Sequence, residues 1–302
     1  MSRALDGRVA VVTGGGKGLG RAFALHLAEA GAAVVVNNRN RQVDENGLGP
    51  ADHVVAEIVA RGGRAVANHD DVADPAIGDR LVADALEHFG RLDILVTSAA
   101  VSAPQMAHKT TAESFRQVMD INVTGTVLPA AAAMAHMRRA GSGRVVLIAS
   151  TAGLHGETTV SAYAASKGAV IAFGRTAAVE GAGKNVLTNV VLPYATTQMT
   201  EAGMDPRHAD RMRSDLVAPL VTALASPEST INGQVIVAAG SALRAADAVE
   251  WGTVGYDADQ PIEPAVLEQL LTQSRAGDPH TFTHAQNAFQ SLAADLAASS
   301  HP

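Results

Sequence analysis

At 302 residues, with 47% apolar residues, 28 glycines and 18% charged residues, the chain has the make-up of a folded α/β protein with a deep core rather than a disordered chain. Thirty acidic against 23 basic residues give a net charge of −7, which argues against nucleic acid or an anionic membrane as a partner, because both are held mainly through excess cations. The lack of cysteine excludes disulfides, thiolate nucleophiles and thiolate-bound metals.

The first eight residues are charged and run straight into Val9-Ala10-Val11-Val12, without the apolar stretch and cleavage site of a signal peptide. Ser300-His301-Pro302 is no peroxisomal address, so a soluble cytoplasmic protein is expected.

Arg8 to Thr13 reads as a buried strand and Arg21 to Ala30 as a helix ended by Gly31, with a glycine-rich turn between them. The turn has the spacing T-G-x-x-x-G-x-G, at Thr13, Gly14, Gly18 and Gly20, with Gly16, Lys17 and Leu19 inside it. Glycines let a backbone approach a pyrophosphate closely, and the free amides of a helix start favour negative charge. A tight turn without a nucleotide is the alternative.

Ala32 to Asn37 is the second strand, whose end would lie near an adenosine ribose. An acid there would favour NAD, but Asn38 and Arg39 stand in its place, with Lys17 and Arg41 nearby. That set suits a 2′-phosphate, so NADP(H) is favoured and NAD(H) is the alternative. After a polar loop at 40–50 the chain alternates: helix 51–60, strand 64–68, helix 76–89, strand 92–97, helices from 111 to 139, and strand 144–149. Helix 162–180 and strands 186–192 and 234–237 follow. Such alternation of β-branched strands with helices predicts an α/β fold with a doubly wound parallel sheet flanked by helices, over residues 1–240. A helical C-terminal extension is expected at 241–302. The apolar run Thr126 to Met137 is too short to span a bilayer.

Tyr163 and Lys167 lie four residues apart on a predicted helix and so share a face. A nearby ammonium lowers the pKa of a phenol, which would make Tyr163 a general acid/base near neutral pH. Ser150, thirteen residues earlier at a strand end, could hydrogen-bond a carbonyl under reduction. A surface pair on a helix is the plain alternative. His280 and His284 lack an acidic third ligand, and no metal is expected. Arg207, Arg211 and Arg213 could grip phosphates or form a solvated face, and His155 could belong to a substrate loop.

Together, the glycine turn, Ser150, Tyr163 and Lys167 resemble the short-chain dehydrogenases/reductases, as does Asn122-Val123-Thr124-Gly125, twenty-eight positions before Ser150. Within that family the chain is similar to the hydroxyacyl-CoA dehydrogenase unit of the type 2 multifunctional enzymes of β-oxidation. Val34 to Asn38, Arg61 to Asp70, Pro193 through Thr200, Val217 to Val221, Trp251 and Gln260 to Pro264 carry this likeness.

The resemblance implies a single-domain Rossmann fold and an oxidoreductase that interconverts a secondary alcohol and a ketone. Tyr163 would move the proton, Lys167 would lower the tyrosine pKa and hold the nicotinamide ribose, and Ser150 would orient the substrate oxygen. Asn122 would support a proton relay through water. Asp70 and Asp71 would lie by the adenine, Ser98, Ala99 and Ala100 under the cofactor, and Pro193, Ala195 and Thr196 along the nicotinamide pocket.

Two departures from the family stand out. Thr97-Ser98-Ala99-Ala100 replaces N-N-A-G, and Tyr194 replaces a small or polar residue, which is expected to narrow the nicotinamide end. A 3-hydroxyacyl-CoA or steroid-like substrate is expected, with a biosynthetic ketoreductase acting on a polyketide or polycyclic ketone as the alternative. A non-catalytic dinucleotide-binding regulator is the reading from a different class. The family resemblance also implies a homodimer or homotetramer, with the extension lying over a neighbouring subunit.

Overall fold

The computed structural model describes residues 3–39, 43–197, 207 and 210–299, and its contacts divide the chain into two units, Met1–Ala245 and Ala246–Pro302. In the first unit, β1 (Val9–Thr13), β2 (Ala33–Asn37), β3 (Arg64–Asn68), β4 (Ile94–Thr97), β5 (Gly143–Ile148), β6 (Val186–Tyr194) and β7 (Val235–Ala239) run parallel. An eighth strand, β8 (Ala242–Ala245), closes the edge antiparallel, giving the order β3-β2-β1-β4-β5-β6-β7-β8. The chain reverses between β1 and β4. Pairing from β1 outward runs through β2 to β3 on one side and through β4 to β8 on the other, which leaves a crevice at the carboxyl ends of the strands.

Helices α1 (Gly18–Glu29), α2 (Pro50–Ala60), α3 (Ile77–Phe89), α4 (Ala112–Met119) and α5 (Gly125–Ala140) are followed by the short α6 (Ala152–His155), the 22-residue α7 (Ser161–Ala182) and α8 (Ala218–Ala225). Val9, Val11, Val34, Val35, Val145 and Val146 are all buried, because helices cover both faces of the sheet. One core cluster packs α1, α2 and α8 against the central strands through Phe23, Leu27, Val54, Ile58, Val221 and Leu224. Burial of a Leu or Phe side chain contributes about 1.5–3 kcal/mol, so this layer fixes where the first turn of α1 meets the sheet.

The sheet continues past Gly240 into β8, and the contact boundary falls after Ala245. One expectation changes here. The run Thr126 to Met137 belongs to one 29-residue helix, Ala112–Ala140, which is long and apolar enough to cross a membrane by length and composition. Its most apolar stretch is half buried, and its α5 part packs on α3 and α7. A π-helical turn at Asp120–Thr124 joins α4 to α5.

The second unit contains α9 (Pro264–Ala276) and α10 (Ala285–Ser299), with a backbone ladder between Glu250 and His280. None of its described residues is buried.

Candidate active site

The glycine turn between β1 and α1 is built from positions where a side chain has no room. A Cβ on Gly20 would lie 2.2 Å from the Gly14 carbonyl oxygen, and one on Gly14, at φ +64°, would lie 2.7 Å from Ala99 Cα. Lys17, the residue before α1, makes no side-chain cap. The first amides of α1 therefore keep their hydrogen-bonding capacity for a ligand. Thr13 ties this turn to the end of β4: its Oγ1 accepts from the Ser98 and Ala99 amides at 3.2 and 3.5 Å. The replaced N-N-A-G segment thus still delivers Ser98, Ala99 and Ala100 to the crevice by backbone contacts.

The crevice encloses about 640 Å³. Gly14, Lys17, Gly18, Leu19 and Gly20 line one wall, and Asn38, Arg39 and Asp70 lie at the ends of β2 and β3. Tyr163, Lys167, Pro193 and Ala195 line the other end. Four expected cofactor contacts stand behind this surface. Thr13 braces the turn, and a Cβ on Gly16 would meet Pro50 and Asn38. Asp71 pairs with Arg39 at 2.5 Å, and the Thr196 amide donates to the Met212 carbonyl at 2.6 Å.

Sequence reasoning missed several lining residues, among them Asn37, Pro50, Val72, Val101, Ile121 and Thr197. They are ordinary apolar or polar residues that carry no motif. Only the first two were open to inference, since Asn37 ends β2 and Pro50 opens α2.

Tyr163 and Lys167 share the expected face. Lys167 Nζ lies 5.6 Å from the centre of the tyrosine ring, and both side chains line the crevice bordered by the glycine turn. Ser150, just beyond β5, lies beside the Tyr163 side chain, and its Oγ accepts from the Ala152 amide at 3.2 Å. The electrostatics differ from expectation. Burial pushes the Tyr163 phenol above its ordinary value, and the neighbouring Ser150 hydroxyl only partly offsets this. Lys167 is 2% exposed, and burial lowers its pKa to about 8. Its ammonium donates to the Ile148 carbonyl at 2.9 Å. In the free protein the lysine is therefore anchored to the end of β5, and burial is the larger influence on the tyrosine.

Asn122 sits in the π-helical turn, fully buried. Its Nδ2 donates to the Val101 carbonyl at 2.9 Å and to Ser166 Oγ at 3.0 Å, and its Oδ1 accepts from the Val101 amide at 2.8 Å. Ser166 Oγ in turn donates to the Tyr163 carbonyl at 2.7 Å. The side-chain amide is thus committed to backbone and to Ser166, which ties the π-helical turn to α7.

Tyr194 does not narrow the crevice. Alternation along β6 turns Pro193 toward the crevice, and Tyr194 is 47% exposed. Arg213 pairs with Asp215 at 2.8 Å, and His155 is exposed at the end of α6. Arg41, Met199 and Thr200 lie outside the described residues.

A parallel sheet with a glycine cradle at its switch point, facing a tyrosine-lysine pair, defines a dinucleotide-binding oxidoreductase. Residues 8–208 match the family model described as short chain dehydrogenase, and the chain belongs to that family. The peroxisomal multifunctional enzyme type 2 of Drosophila melanogaster is 38% identical over 236 residues, which is 78% of this chain and 39% of the fly protein. The chain therefore matches well under half of that relative's length. A crystal structure of a short chain dehydrogenase from Mycobacterium avium superposes with a TM-score of 0.79 at 33% identity, covering 92% of this chain and 99% of that one. A 7α-hydroxysteroid dehydrogenase complexed with NADH and 7-oxo glycochenodeoxycholic acid superposes with a TM-score of 0.71 at 28% identity, covering 80% and 96%. The family binds nicotinamide dinucleotides, and the glycine cradle and uncapped α1 amides fit the pyrophosphate of such a cofactor.

Proposed function

We propose that this oxidoreductase interconverts a secondary alcohol and a ketone, with NADP(H) favoured over NAD(H). The observation that carries this reading is the Tyr163 side chain, set with Lys167 in the crevice that the glycine turn borders and with Ser150 beside it. A bound nicotinamide dinucleotide supplies or accepts the hydride. Tyr163 donates its phenolic proton to the substrate oxygen in reduction and takes it back in oxidation. A phenol held protonated by burial suits the reductive direction at neutral pH. Ser150 Oγ orients the substrate oxygen beside Tyr163. Lys167 holds the nicotinamide ribose and supplies positive charge when the phenol loses its proton. Asn122, through Ser166, fixes the helix that carries both groups.

A 3-hydroxyacyl-CoA is the substrate we favour, from the likeness to the multifunctional type 2 enzymes; a steroid-like alcohol fits the same chemistry. We further propose a cytoplasmic homo-oligomer that does not span a membrane. The face of α5 and α7 where Ala131, Ala135 and Phe173 line a groove supports association through these helices.

The test uses purified protein with NADPH or NADH and acetoacetyl-CoA beside a panel of bulky ketones. Faster oxidation of NADPH and loss of turnover in Tyr163→Phe, with dinucleotide binding kept, are expected. Turnover retained in Tyr163→Phe would refute the mechanism. Tight dinucleotide binding without turnover on any ketone would instead favour a regulator.

A further inference from the structure

The register between β2 and β3 pairs Asn37 with Asn68, so the loops that leave these strands run side by side. Arg39 and Asp71 meet there. Arg39 Nη1 donates to Asp71 Oδ2 at 2.5 Å, with the two side chains 27% and 38% exposed. Asp71 Oδ1 accepts from the Ala73 amide at 3.0 Å, so a backbone turn anchors the carboxylate. Arg39 lines the crevice, and Asp71 lies beside it.

A 2′-phosphate carries a charge of about −2 at neutral pH and gains most from a guanidinium whose charge is not already compensated. Here the Arg39 charge is offset by a carboxylate held in place by a turn. Asp70 also lines the crevice, paired with Arg80 at 3.1 Å, and Lys17 lines it as a further cation. A 2′-hydroxyl carries no charge, so it does not suffer from this compensation.

We propose that Asp71 is a specificity-determining residue that limits discrimination between phosphorylated and unphosphorylated dinucleotides by holding Arg39 in an ion pair at the adenosine end of the crevice. This rests on the oxidoreductase reading and adds to it. The sequence pattern at Asn38 and Arg39 favours the 2′-phosphate, and Asp71 moderates that preference so that both cofactors are accepted. Removal of its charge makes the enzyme more selective for NADP(H).

Dissociation constants for NADPH and NADH, measured by fluorescence titration, test this in the wild type, Asp71→Asn, Arg39→Leu and the double variant. Asparagine keeps an oxygen for the Ala73 amide, and Asp71→Ser provides a second uncharged residue that can cap the same turn. Both single changes at Asp71 should tighten NADPH relative to NADH by roughly three- to fivefold, and the change in ratio should vanish when Arg39 is leucine. An unchanged ratio in both Asp71 variants, or an equal change in the Arg39→Leu background, overturns the inference alone. If the wild type binds neither dinucleotide, the oxidoreductase reading falls and this inference with it.

Discussion

Asn122 and Ser166 are joined by a 3.0 Å hydrogen bond between two fully buried side chains, one in the π-helical turn and the other on α7. This bond ties the loop after β4 to the helix carrying Tyr163 and Lys167, because the same amide also holds both backbone groups of Val101. A π-helical turn interrupts the regular ladder of a longer helix, and the buried asparagine lies in that turn.

Asn122→Leu should therefore destabilise the fold by about 2–4 kcal/mol, because Val101 and Ser166 lose their buried partner. Ser166→Ala should cost about 1 kcal/mol and lower kcat more than it raises KM, since the Tyr163 carbonyl loses its link to Asn122. Urea unfolding and steady-state kinetics read these effects. Unchanged kcat in both variants would remove the positioning role.

The buried lysine sets a pH dependence of stability. Its pKa falls from 10.5 to about 8 on folding. Below pH 8 it is charged in both states, and its burial costs on the order of 3 kcal/mol. Between pH 8 and about 10 the unfolded chain binds more protons than the folded one, so this group makes stability rise with pH. The raised Tyr163 pKa works in the opposite direction, but only above its ordinary value of 10.0. Lys167→Met should be more stable than the wild type at pH 7, by a margin that shrinks toward pH 10, and should lack turnover. A pH-independent difference in unfolding free energy would contradict this account.

Arg144, at the start of β5, is 4% exposed and donates to the carbonyls of Gly143, Asn185, Ser226, Pro227 and Ser229. Burial lowers its pKa, and nearby Arg8 adds to that effect. It fastens the loop after α8 to the edge of the sheet opposite the crevice. Arg144→Met should destabilise by about 2–4 kcal/mol by leaving these carbonyls unpaired, with dinucleotide affinity preserved. Chemical denaturation and cofactor titration separate the two effects, and a large loss of affinity would tie Arg144 to the site.

The central strands were legible in the sequence because a parallel strand buried on both faces reads as a short apolar, β-branched run, and β1, β2 and β5 fall within a residue of the bounds their residues suggest. The edge strand Arg64–Asn68, only partly buried, also appears with its expected bounds. The glycine turn and the tyrosine-lysine pair were legible for a related reason. Their geometry depends on spacing along a single strand-turn-helix or a single helical face, which the order of residues sets directly. Tertiary structure decided what depends on partners distant in the chain or on burial. It brought Arg39 to Asp71 and Lys167 to the Ile148 carbonyl, committed Asn122 to Val101 and Ser166, and turned Tyr194 outward. Hydrogen-bond choice and desolvation arise only when the elements pack, so the proton affinities of Tyr163 and Lys167 are properties of the folded protein and cannot be read from their spacing.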